Sequence, residues 1–223
     1  ILVRDFRSLE ELRRFNFQNF DYIPDLAWAY NGDKLNSEQV NEFNSYSKKF
    51  VVLSFRDCLE GSKRNPDYFA SLFESLEKVF SHFKDFKFLL TYQVEYDKTV
   101  CEEFFEKFKR LYDVDFHDGL LSLEEALYIY SNAEFVISNR MHVLMLAIKS
   151  GTLPIALTDV SEHFKLVSIF KDESMEDCLF DIGNLNIDIL ERKIQDKLNI
   201  IAKFSKITKK NTSIIEQKIT QLF

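Results

Sequence analysis

Along the chain, short apolar runs alternate with longer stretches in which apolar positions recur at helical spacing. The short runs are "ILV" (1–3), "FVVLSF" (50–55), "FKFLLTY" (86–92), "EFVIS" (134–138) and "LPIAL" (153–157). Their length and β-branched or aromatic content predict strands. Between them, "SLEELRRF" (8–15), "PDYFASLFESLEKVFSHF" (66–83), "KTVCEEFFEKFKRLY" (98–112), "SLEEALYIYSNA" (122–133) and "MHVLMLAIKSG" (141–151) carry the periodicity of amphipathic or buried helices. Strand followed by helix, repeated, predicts an α/β fold: a doubly wound, Rossmann-like parallel sheet with helices on both faces.

Boundary residues agree with this pattern. Asn65-Pro66 starts a helix with proline in its first turn, Ser122 followed by Glu124 and Glu125 resembles a capped, acid-rich helix start, and Gly151 ends a helix. Residues 31–48 are polar and poor in strand signal, which predicts a linker into a domain that begins near Phe50. From Asn186 to Phe223, the spacing of Ile187, Leu190, Ile194, Leu198 and Ile201 predicts one long helix or two. The chain therefore divides into an N-terminal segment and linker (1–48), a Rossmann-like domain (49–185) and a helical tail (186–223).

Composition narrows the classes. With 223 residues and 46% hydrophobic side chains the chain can bury a substantial core. A net charge of −7 without long blocks of either sign gives no nucleic-acid surface and no polybasic membrane patch. Three scattered cysteines, Cys58, Cys101 and Cys178, fit neither a disulfide framework nor a zinc site and point to a reducing cytoplasm. His82, His117 and His163 lack metal-ligand spacing, so no metal site is expected. No apolar stretch is long enough to span a membrane, and no signal peptide is read at the start. Because the chain opens on Ile1 inside an apolar run, a preceding segment is expected. Glycine-rich phosphate-binding motifs are absent, which disfavours a standard dinucleotide fold or a P-loop enzyme.

Polar clusters sit where each strand hands over to a helix, the ligand-binding edge of a parallel sheet. Ser138, Asn139, Arg140 and His142 follow "FVI", while Ser54, Arg56 and Asp57 follow "VVL". Gln93, Glu95 and Asp97 follow "FLLTY", and Thr158 and Asp159 follow "PIAL". A helix starting at Asn139 or Arg140 offers free N–H groups and a dipole end to an anion. Arg140 adds a forked donor, and a histidine near its usual pKa can move a proton at neutral pH. The plainer alternative makes Arg140 a structural ion pair and His142 an ordinary buried histidine. Arg56 with Asp57 reads as an anion site or a surface pair. Gln93 and Asp97 read as contacts to sugar hydroxyls, with capping of the helix at Lys98 the preferred role for Asp97.

Taken together, "VRDFRSLEELRRF" with "IPDLAW", "VVLSFRD", "LLTYQVEYD", "LSLEEALYIYSNAEFVISNRMHVLMLAIKSGTLPIAL" and "HFKLVSIF" resemble, in that order, the polysaccharide pyruvyl transferase family. The resemblance covers about residues 1 to 185. It implies the end of the N-terminal half and the whole C-terminal, donor-binding half of a two-domain, glycosyltransferase-B-like enzyme. Members transfer the enolpyruvyl group of phosphoenolpyruvate to a sugar of a cell-surface or exopolysaccharide, or its precursor, and form a pyruvate ketal.

The resemblance implies that Arg140, Met141 and His142 match the family's Arg-x-His donor element, with methionine where leucine is usual. Arg140 and His142 would be catalytic, and Arg4, Arg56, Asn139 and Lys165 would join the donor site, with Gln93 and Asp97 in acceptor or supporting roles. The implied partners are phosphoenolpyruvate and a saccharide acceptor, lipid- or nucleotide-linked, with no resident cofactor and no nucleic acid. The expected location is cytoplasmic, with a lipid-linked acceptor drawing the protein to the inner face of the membrane. Two other readings stand beside it: a nucleotide-sugar-dependent glycosyltransferase of the same architecture, and a non-catalytic remnant that binds an anionic sugar.

Overall fold

The computed structural model describes residues 1–32, 35, 40, 49–56 and 65–221. Asp57, Cys58 and most of the expected 31–48 linker lie outside the described residues. At the start, β1 (Leu2–Val3), α1 (Phe6–Arg14) and β2 (Asp21–Tyr22) form a small parallel pair in which Leu2 faces Asp21 and Val3 faces Tyr22. Asp5 caps α1 by accepting from the Ser8 amide at 2.7 Å. A single turn at Leu26–Trp28 follows and buries Trp28.

The main sheet comprises β3 (Phe50–Ser54), β4 (Lys87–Tyr92), β5 (Val114–Leu120), β6 (Phe135–Ser138), β7 (Leu153–Thr158) and β8 (Leu179–Asp181). Its strands are all parallel and ordered β5-β4-β3-β6-β7-β8. Helices α2 (Pro66–His82), α3 (Lys98–Phe108), α4 (Leu123–Asn132), α5 (Met141–Lys149) and α6 (Phe164–Asp172) connect the strands, and α7 (Ile187–Gln195) and α8 (Lys197–Thr220) close the chain.

Strand alternation assigns side chains to two layers. Val51 and Leu53 of β3, Phe88 and Leu90 of β4, and Phe135 and Ile137 of β6 pack with α2 and α3. Phe50 and Val52, Leu89 and Val136 point the other way, against α4 and α5. Because both faces are covered, β3, β6 and β7 are buried throughout, and this makes their sequences uninterrupted apolar runs. Much of the phenylalanine content serves one layer: Phe80 meets Phe88 at 4.3 Å and Phe108 at 4.2 Å, and Phe73 stacks on Phe108 at 4.9 Å. Cys101 and Cys178 are buried within this core, and burial pushes both thiols up to about 12.

The predicted helix starts are present. Asn65 accepts from the Asp67 and Tyr68 amides, and Ser122 forms a reciprocal capping box with Glu125. Among the described residues the structure adds three strands and one helix to those expected. β5 ("VDFHDGL") is a half-exposed edge strand whose polar residues hide the apolar run, β2 and β8 are only two and three residues long, and α6 begins on the bulky "HFKL". The tail is two helices broken at Asp196. The break resets the helical phase, so Leu198, expected on the apolar stripe, is 76% exposed while Ile200, Phe204 and Ile215 are buried.

Candidate functional site

The strand order places a topological switch between β3 and β6: the chain winds outward from β3 through β4 and β5, then returns to the other side of β3. In sheets of this kind the crevice beyond the carboxyl ends of those two strands is the binding position. The ends are "SFR" (54–56) and "SNR" (138–140), paired in register at Ser54 and Ser138.

Each residue of "SNR" has a distinct task. Ser138 donates through Oγ to the Ser54 carbonyl at 2.5 Å and accepts from the Arg140 amide at 2.9 Å, which ties the two strand ends together. Asn139 is buried; its Oδ1 accepts from the Arg56 amide at 2.9 Å, and its Nδ2 donates to the Arg56 carbonyl and the Tyr68 hydroxyl, both at 2.7 Å. Asn139 therefore lies behind the crevice and fixes the backbone of Arg56. Burial raises the Tyr68 phenol above its ordinary range, so it stays a neutral hydrogen-bonding partner.

Arg140 turns its guanidinium to Asp97, whose side chain is only 3% exposed. This corrects the capping role expected for Asp97: its carboxylate makes no cap bond to α3 and accepts from Arg140 instead. A buried carboxylate needs a cation more than it needs one amide donor. The Nε of Arg140 is buried and makes no hydrogen bond within the described residues.

His142 stands in the first turn of α5, half-exposed, with Nε2 3.4 Å from Asp25 Oδ2. The same Asp25 oxygen accepts from Arg4 at 2.7 Å, while Oδ1 caps the Leu26–Trp28 turn through the Ala27 amide. Burial pushes the Asp25 carboxyl up, but the hydrogen bonds from His142 and Ala27 and the charges of His142 and Arg4 outweigh it and bring it down to about 2. Asp25 is thus an ionised hinge between the β1–β2 unit and the start of α5. Opposite, Arg56 donates to His163 Nε2 at 2.6 Å, and His163 Nδ1 lies 2.8 Å from Thr158 Oγ1. Gln93 donates to the Tyr130 hydroxyl at 3.2 Å.

These groups surround a cleft of about 190 Å³ lined by Arg4, Arg56, Gln93, Val94, Arg140, Met141, His142, His163, Lys165 and Leu166. All the candidate residues line it except Asn139 and Asp97, which support it from behind. The sequence reading missed Asp25 and His163. Asp25 stands in "IPDLAW", where its signal was the residue pair "PD" alone, and His163 was weighed there only as a metal ligand. Among the described residues no group of three or more His, Cys, Asp or Glu is placed to hold a metal ion, and no helix is long and apolar enough to cross a membrane.

A six-stranded parallel sheet in this order, with a cationic cleft at its switch point, defines a Rossmann-like α/β domain of the glycosyltransferase-B type. The chain belongs to the polysaccharide pyruvyl transferase family, whose sequence model matches residues 1–159. Among solved structures it is similar to the UDP-GlcNAc 2-epimerase of Methanocaldococcus jannaschii in complex with UDP-GlcNAc and UDP, with TM-score 0.64, 15% identity, and coverage of 89% of this chain and 54% of that one. It is also similar to the S. aureus MnaA–UDP co-structure, with TM-score 0.61, 10% identity, and coverage of 92% and 52%. A third likeness is to the trehalose-6-phosphate synthase OtsA, with TM-score 0.58, 11% identity, and coverage of 92% and 51%. At these identities the likeness is one of fold. The chain spans about half the length of these solved structures. No curated protein matches it.

Proposed function

We propose that this chain carries the donor site of a pyruvyl transferase, which moves the enolpyruvyl group of phosphoenolpyruvate onto a saccharide as a pyruvate ketal. The carrying observation is the convergence of Arg4, Arg56, Arg140, His142 and Lys165 on one small cleft at the sheet's switch point. Phosphoenolpyruvate brings a carboxylate and a phosphate a few bonds apart, and a compact array of forked donors suits such a dianionic or trianionic ligand. UDP-GlcNAc, bound by the epimerase, carries its charge on a single diphosphate between uridine and sugar, whereas four cationic side chains gathered at one cleft suit the separate carboxylate and phosphate of phosphoenolpyruvate.

In the reaction, protonated His142 gives its proton to the methylene carbon, which becomes a methyl group and leaves a cationic centre at the adjacent carbon. A sugar hydroxyl adds to that centre and returns its proton to the imidazole. The carbon–phosphate oxygen bond then breaks and phosphate departs. A second hydroxyl adds to the cationic carbon so formed and closes the ketal, passing its proton to the released phosphate while that is still in the cleft. Asp25 orients the imidazole and balances its charge, as carboxylates do behind catalytic histidines. Arg140, buttressed by Asp97, holds the donor's charge in place. His142 is 55% exposed, which leaves the open side of the cleft to the saccharide acceptor.

Replacing His142 by Gln in the intact enzyme is expected to lower the rate of pyruvyl transfer by roughly 10²- to 10⁴-fold while the affinity for phosphoenolpyruvate changes little. A transfer rate left within a few-fold of the unchanged enzyme would remove the proton-transfer role from His142.

A further inference from the structure

We infer that His163 is a positioning residue of the donor site: a buried, neutral imidazole of fixed tautomer that aims Arg56 at the donor's anionic group. The inference rests on the functional reading above and deepens it. His163 lies just past the segment matched by the family model.

A guanidinium has only donors. The 2.6 Å contact from Arg56 to His163 Nε2 therefore requires a lone pair on Nε2, so the ring is neutral and its hydrogen sits on Nδ1. Nδ1–H then donates to Thr158 Oγ1 at 2.8 Å. With its one donor given to Thr158 the ring cannot tautomerise without breaking both bonds. Thr158 is fully buried and His163 is 4% exposed, so no bulk water competes for either bond.

A second set of contacts holds the backbone: the Asn139 side-chain amide clamps both the N–H and the carbonyl of Arg56, and its Nδ2 also donates to the Tyr68 hydroxyl. Arg56 is thus held at its backbone by β6 and at its guanidinium by the β7–α6 junction. Holding a flexible, entropy-rich side chain at both ends lowers what an anion must spend to order it. Both Arg56 and His163 line the cleft, alongside Arg140 and His142.

The test combines a spectroscopic signature with a double-mutant cycle on the full chain, with phosphoenolpyruvate as the titrant. Long-range ¹⁵N–¹H spectra of the unchanged protein are expected to show His163 with hydrogen on Nδ1 and a bare Nε2. A ring protonated at Nε2, or at both nitrogens at neutral pH, overturns the inference whatever the variants do. In calorimetry, Arg56→Gln and His163→Leu are each expected to weaken binding about tenfold, and the double variant is expected to be no weaker than Arg56→Gln alone within about twofold. His163→Gln, whose side-chain carbonyl reaches the Nε2 position, is expected to recover most of the loss. Losses that multiply in the double variant, or a His163→Leu protein that binds as tightly as the unchanged one, overturn the positioning role while leaving the functional reading intact. Should His163→Leu not fold, His163→Gln and the tautomer decide. Failure of the unchanged chain to bind phosphoenolpyruvate at all overturns the functional reading and this inference with it.

Discussion

Asp97 and Asp25 divide the work of holding the cleft's cations, and they do so in different environments. Asp97 is almost wholly buried, whereas Arg140 keeps 26% of its side chain in solvent. Removing the carboxylate's charge with Asp97→Asn is expected to cost ~2 kcal/mol in chemical denaturation, below the ~3–5 kcal/mol of a fully buried pair because water partly replaces the lost partner of Arg140. Asp25 has a pH signature. Its folded pKa of about 2 lies below the ordinary 3.8, so its contribution to stability is complete above about pH 4 and disappears as the pH falls through about 2. Asp25→Asn is expected to lower stability at neutral pH and to flatten the acid limb of the stability curve between about pH 4 and pH 2. An unchanged acid limb would show that Asp25 is not linked to His142 and Arg4 in solution. Neither role was legible in the sequence. A carboxylate directly before a helix reads as a cap, and only the folded chain brings Arg140, 43 residues away, to Asp97.

Elements were more legible than side-chain roles, and the exceptions have physical causes. Strands buried on both faces, β3, β6 and β7, declare themselves as apolar runs because every residue meets a helix. An edge strand such as β5 meets a helix on one face and solvent at its margin, so its sequence carries charges and a histidine that mask it. The tail shows how one break misleads a periodicity argument. Stepping by three or four from Ile187 reaches Leu198 only if the helix is continuous, and it is interrupted at Asp196. Leu198→Lys is therefore expected to change stability by no more than ~0.5 kcal/mol, whereas Phe204→Ala on the buried stripe of α8 should cost ~3–5 kcal/mol. Equal costs from the two variants, measured by urea unfolding, would contradict the observed phase of α8. The element-level feature with most bearing on function is the seam of Ser138 and Asn139, two residues that read as a polar turn in sequence and serve as a latch between β3 and β6.

At the scale of the molecule, winding order decides where chemistry can occur. The switch between β3 and β6 opens the crevice, α5 starts there with Arg140 and His142, and the small β1–β2 unit brings Arg4 and Asp25 to the same rim. Sequence order scatters the lining residues from Arg4 to Leu166, yet they meet around one cleft. The residue types at each strand end were readable one by one. Their convergence was supplied by the family resemblance, since spacing along a chain does not encode which strand ends become neighbours. The fold is similar to that of an epimerase in complex with UDP-GlcNAc and of the MnaA protein with UDP, so fold alone does not choose the ligand. The central claim is that this cleft takes phosphoenolpyruvate, and calorimetric titration of the chain with phosphoenolpyruvate and, separately, with UDP-GlcNAc tests it most directly. The account predicts saturable binding of phosphoenolpyruvate that weakens about tenfold or more in Arg140→Gln, with no comparable heat from UDP-GlcNAc. Saturable binding of UDP-GlcNAc without any of phosphoenolpyruvate would contradict it.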